Sequence, residues 1–129
     1  PFRDEDTRLA MIAALAVAHG VTPVMASLLP ISDYHKSEDP DYARSRERPP
    51  ETIHQLNDWT RHMCAEQGFV YLDYHSAMAD GAGQLRAALS PDGLHPNGEG
   101  YKLMAPLAEA AITKALSAKP RRKRHFGIF

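Results

Sequence analysis

Cysteine is almost missing from this chain: Cys64 is the only one in 129 residues. A single thiol excludes an intramolecular disulfide and any cysteine cage for zinc. No nucleophile signature surrounds it, so Cys64 reads as a small core residue on a helix. Long apolar runs are missing too. Met11 to Ala18 is apolar, but it falls well short of the roughly 18 residues needed to span a bilayer and lacks the charged flank of a secretion signal. No membrane partner is expected. Gly-Asp-Ser, Gly-x-Asn-Asp and Gly-x-Ser-x-Gly segments are all absent, so nothing announces a serine nucleophile and its oxyanion donors. The seven histidines include no pair at i, i+4, which leaves no His-Glu-x-x-His helix. The loop with Asp33, Asp39 and Asp41 lacks the glycine and bidentate glutamate of a calcium loop. Neither a metal nor another cofactor is expected.

A formal net charge of −1 conceals an asymmetry. Lys119, Arg121, Arg122, Lys123 and Arg124 hold five of the fifteen cations, so the body carries ten cations against sixteen anions. A short terminal basic run reads as a solvated tail, and no nucleic-acid partner is expected. An adaptor role for Arg121 to Arg124 would show itself as salt-sensitive binding lost with the tail. The length suits one domain, divided into a body, residues 1–118, and the basic tail, residues 119–129.

Asp4 to His19 predicts a helix. Asp4, Glu5 and Asp6 suit its N-terminal dipole, Leu9, Ile12, Leu15 and Ala16 form a stripe, and Gly20 stops it. Val21 to Leu29 predicts a buried parallel strand, bracketed by Pro23 and Pro30. Ile31 to Arg48 is polar and predicts a long surface loop. Pro50 opens a second helix whose buried face carries Ile53, Leu56, Thr60, Met63 and Cys64, and Gly68 ends it. Phe69 to Tyr74 predicts the second strand. After the break at Gly81-Ala82-Gly83, a short helix is expected from Gln84 to Leu89. Asn97 can cap a last helix running to about Ala115, with a kink or a restart at Pro106. Helix, strand, helix, strand, helix implies parallel strands joined by right-handed crossovers.

The segment richest in chemistry is Asp92-Gly93-Leu94-His95-Pro96-Asn97, followed by Gly98-Glu99-Gly100-Tyr101. It sets a carboxylate three residues before an imidazole on a turn that enters a helix. Asp92 can hold one ring nitrogen of His95, which leaves the other to take a proton from a hydroxyl. The plainer alternative is an Asp-Gly turn whose carboxylate bonds local amides; both can hold at once.

This segment resembles the closing block of the SGNH hydrolases, the GDSL lipases and esterases. The resemblance extends to Val24-Met25-Ala26-Ser27-Leu28-Leu29-Pro30, to Arg48-Pro49 through Asn57-Asp58-Trp59, to Phe69-Val70-Tyr71-Leu72-Asp73-Tyr74, and to Met104-Ala105-Pro106-Leu107-Ala108. Residues from about 7 to 115 are similar to the C-terminal half of such a protein. The resemblance implies an α/β fold, a partial flavodoxin-like parallel sheet flanked by helices, and it implies a serine-type carboxylic ester hydrolase acting on a small ester without a cofactor. Asp92 and His95 match the family's acid and base, while the family's nucleophile and oxyanion blocks would precede Pro1. The chain therefore reads as a truncated form. Members of the family are often secreted or periplasmic.

Two serines could substitute as nucleophile. Ser27 lies near the C-terminal end of the first strand, where sites of parallel sheets gather; it could instead bond a neighbouring backbone group. Ser90 lies close to Asp92 in sequence but also suits a turn before Pro91. Ser76 is a weaker candidate. Tyr34, Tyr42, Tyr71, Tyr74 and Trp59 could line an acyl pocket or simply pack. With few strands, the sheet should keep an open apolar edge that seeks a partner. The expectation is a homodimer through that edge, or pairing by His125-Phe126-Gly127-Ile128-Phe129. The alternative to an active hydrolase is an inactive dimerising fragment with a vestigial Asp-His pair.

Overall fold

The computed structural model describes residues 3–35 and 43–118. Asp39, Asp41, Tyr42 and the basic tail lie outside the described residues. In chain order the elements are α1 (Arg3–Ala18), β1 (Val24–Ala26), α2 (Arg44–Glu47), α3 (Pro50–Gln67), β2 (Val70–Leu72), α4 (Tyr74–Met78), a 3₁₀ turn (Ala87–Leu89) and α5 (Gly98–Ser117). The chain is an α/β protein with a small parallel sheet.

β1 and β2 pair in parallel, Val24 with Val70, Met25 with Tyr71 and Ala26 with Leu72. Because strand side chains alternate between faces, Val70 and Leu72 share one side. There they join Ala111 and Ala115 of α5 in a core that Val24, Tyr74, Leu107 and Ala108 extend. Tyr71 points the opposite way, where the Arg61 guanidinium of α3 lies 5.5 Å from its ring centre. α3 and α5 thus cover the two faces of the sheet. A second core of Met78, Leu85 and Leu89, backed by Leu29, Leu103 and Met104, anchors the start of α5. Gly100 permits that approach, since a Cβ there would stand 2.9 Å from the Leu89 carbonyl oxygen.

Both strands are shorter than the apolar runs predict. Val21 to Leu29 pairs only over Val24–Ala26, and Phe69 to Tyr74 only over Val70–Leu72. The buried amide of Asn57 on α3 explains the first: its Oδ1 accepts from the Leu28 amide at 2.7 Å and its Nδ2 donates to the Leu28 carbonyl at 3.0 Å. Leu28 is thereby bonded to a helix rather than to a strand. The α1 stripe is also corrected. Ile12 and Leu15 are 63% and 61% exposed, and Ala13 is the buried residue of that helix. Leu9 and Ala16 of the stripe are half-buried beside Ala13, so it is Ile12 and Leu15 that face out. The expected helix at Gln84–Leu89 is a 3₁₀ turn at Ala87–Leu89, preceded by an antiparallel bridge between Ala79 and Leu85. α5 runs through Pro106 without restarting. Pro106 can free only the Lys102 carbonyl, and both residues lie on the exposed side, where water can serve it.

Candidate active site

Local chemistry builds the Asp92 turn. Gly93 takes a positive φ of 73°, and a Cβ there would fall 2.1 Å from the Ser32 carbonyl oxygen. Only glycine fits both demands. The Ser32 amide donates to the Gly93 carbonyl at 2.9 Å, which docks the segment after β1 onto this turn. On the far side Asn97 caps α5, its Oδ1 accepting from the Glu99 and Gly100 amides at 3.0 Å each. Its Nδ2 donates to the Ala88 carbonyl at 2.9 Å. The turn is therefore pinned on both sides.

Asp92 Oδ1 accepts from the Leu94 amide at 2.9 Å, the His95 amide at 2.8 Å and the Ser90 hydroxyl at 3.2 Å. Oδ2 meets His95 Nδ1 at 2.6 Å and an Arg44 guanidinium nitrogen at 3.4 Å. Partial burial pulls the Asp92 carboxyl upward, but the His95 and Leu94 amides and the His95 ring outweigh it and hold the group well below the usual carboxylate range. The carboxylate is anionic and fixed. An anion at Nδ1 keeps the proton on that nitrogen, so Nε2 carries the lone pair. The His95 side chain is 71% exposed, and Nε2 has no partner among the described residues. The pair can accept a proton from a hydroxyl that approaches from solvent.

Ser27 and Ser90 are buried, and neither hydroxyl is bonded to His95. Ser27 Oγ accepts from the His75 amide at 2.8 Å, at the C-terminal ends of the two strands. Beside it, the His54 and His75 rings stand 4.9 Å apart. Burial, with the neighbouring His54, pushes the His75 ring down. Ser90 Oγ bonds Asp92, and its carbonyl meets His35 Nε2 at 3.1 Å. Ser76 Oγ donates to Asp73, the cap of α4, at 2.6 Å. Among the described residues no serine hydroxyl is bonded to His95, and no group of three or more His, Cys, Asp or Glu side chains could hold a metal ion. No described helix is long and apolar enough to cross a membrane.

Sequence reading missed Arg44, Ser32 and Asn57. Arg44 and Ser32 sit in the polar segment read as a loop, and Asn57 sits among the apolar positions of α3. None carries a local signal, since each reaches its partner across the fold. Ser32 is 1% exposed, and its hydroxyl has no hydrogen-bond partner among the described residues.

The sequence model of the GDSL-like lipase/acylhydrolase family matches residues 3–103. No curated protein matches the chain significantly. Among solved structures, an acylhydrolase-like protein from Bacteroides fragilis aligns with a TM-score of 0.77 and 26% identity, over 90% of this chain and 53% of its own. A GDSL-like lipase from Bacteroides thetaiotaomicron aligns at 0.73 and 28%, over 85% and 51%. The esterase domain of the ZfL2-1 ORF1 protein, from a zebrafish retrotransposon, shares the fold at a TM-score of 0.63 and 21% identity, over 86% and 57%. The chain thus spans about half the length of the two Bacteroides structures.

Proposed function

Since this chain belongs to the GDSL-like lipase/acylhydrolase family, we propose that it serves serine-type hydrolysis of a small carboxylic ester, with His95 as the base and Asp92 as its orienting anion. His95 Nε2 takes the proton of an attacking hydroxyl, and that oxygen adds to the ester carbonyl. His95 then returns the proton to the departing alkoxide. Water, deprotonated in the same way, clears the acyl group. Asp92 stays ionised and balances the imidazolium. The observation that carries this reading is the 2.6 Å contact of His95 Nδ1 with Asp92 Oδ2, its other nitrogen turned to solvent. The similarity to a GDSL-like lipase supports the substrate class.

The nucleophile is a hydroxyl that reaches the open Nε2. Ser27 and Ser90 are the candidates within this chain, each after release from its present bond. A water activated by His95 and a serine from a second copy are the others. Hydrolysis of a short-chain aryl ester should fall roughly 10²–10⁴-fold in His95→Ala and in Asp92→Asn, with the melting curve of His95→Ala retained. Unchanged turnover in both variants would remove the mechanism.

A second reading is favoured by one observation: no described serine hydroxyl is bonded to His95, Ser27 being bonded to the His75 amide and Ser90 to Asp92. On that reading the pair is a relic in a chain that folds without catalysing. Total absence of ester turnover by clean protein would support it. For partners we propose a homodimer through the open edge of β1, which pairs on one side only among the described residues.

A further inference from the structure

Arg44 stands in α2, in a stretch that sequence reading leaves as a polar loop, yet its side chain is only 14% exposed. Its fork spans Asp92. One nitrogen, Nη2, lies 3.4 Å from Oδ2 and another, Nε, lies 3.4 Å from the Asp92 main-chain oxygen. Oδ2 is the oxygen that also meets His95 Nδ1. α2 is itself tied down, because Asp33 accepts from the Ser45 amide at 3.1 Å and from the Ser45 hydroxyl at 2.5 Å. Ser32, next to Asp33, is bonded to Gly93. The segment after β1 therefore grips the Asp92 turn twice, once through the Gly93 backbone and once through the Arg44 cation.

We propose that Arg44 is a positioning residue that acts through Asp92: it draws off part of the carboxylate's charge and so sets the pH range in which His95 can serve as a base. The inference rests on reading Asp92 and His95 as the proton-transfer pair. Asp92 Oδ1 is already held by the His95 and Leu94 amides, so the carboxylate keeps its place without Arg44. What Arg44 adds is charge, on the same oxygen that balances the imidazolium. A cation there makes the protonated ring less favourable. Other charged or titratable groups stand nearby among the described residues. Glu47, which Arg44 also meets at 3.4 Å, is 66% exposed and is screened by water. His35 faces the Ser90 carbonyl, and Asp33 faces Ser45.

The test needs no turnover. The His95 ring is titrated by NMR in the full chain, alongside Arg44→Met and Arg44→Lys, with His54 and His62 as internal references. Arg44→Met should raise the His95 midpoint by about half a unit, the size a partly screened neighbouring charge supplies. Arg44→Lys keeps the charge and should stay within about 0.2 unit of wild type. The reference histidines should not move. If Arg44→Met fails to fold, Arg44→Gln carries the same expectation. A midpoint in the folded neutral variant that is unchanged or lower overturns the proposal, as does a lysine variant that moves as far as methionine. Where wild type hydrolyses an ester, the acid limb of its rate profile should shift upward with the midpoint in Arg44→Met. A wild type without turnover would end the hydrolase reading and leave the titration as a measure of Arg44 alone.

Discussion

Gly93 shows what a single position can require here. Its positive φ, and the 2.1 Å at which an added Cβ would meet the Ser32 carbonyl oxygen, both follow from the dyad turn. Gly93→Ala should cost more than the roughly 1–2 kcal/mol of left-handed strain alone, because a backbone oxygen must also move. Urea denaturation measures the loss, and the ester rate should fall with it. Asp92 contributes in a second way. Its carboxyl is depressed in the fold despite partial burial, through the His95 and Leu94 amides and the His95 ring. Such a group adds stability that is present above its unfolded value and lost as pH falls through the folded one. The stability gap between wild type and Asp92→Asn should therefore shrink as pH drops below about 4. A gap that widens in acid would contradict the assignment. Asp92, His95 and Asn97 were legible in sequence because their partners lie within a few residues. Arg44 was not, because its partner is 48 residues away.

Elements were harder to bound than to find. The long helices and both strands have a trace in the pattern, from the Pro50 start and Gly68 stop of α3 to the apolar strands, whereas the short helices α2 and α4 have none. Strand ends were overrun because apolar residues continue past the paired ones, and only the fold shows what Leu28 bonds to instead. Asn57 decides that. Asn57→Ala removes both of its bonds to Leu28 and should cost about 1–3 kcal/mol, seen as a lower urea midpoint. A change near zero would mean that water replaces the amide. The outward turn of Ile12 and Leu15 in the α1 stripe has a related cause. Periodicity marks an apolar face but does not say which partner will cover it, and in this fold Ala13 rather than Ile12 meets the interior.

At the scale of the molecule, one fact dominates: the chain spans about half of the Bacteroides structures that it resembles. β1 has a second edge unpaired among the described residues, and Met11, Ile12, Leu15 and Val21 are exposed. Light scattering after gel filtration should report a dimer if this edge and face associate. A monomer at every concentration would contradict the homodimer. The family was legible from the Asp92 to Tyr101 segment together with the strand and helix stretches that match around it, whereas the source of the attacking hydroxyl was not, because no local motif encodes it. The measurement that bears most directly on the account is hydrolysis of a short-chain aryl ester by the pure chain and its His95→Ala variant, side by side. The account predicts turnover in the chain and its loss in a folded variant. Equal rates, or none in either, would contradict it.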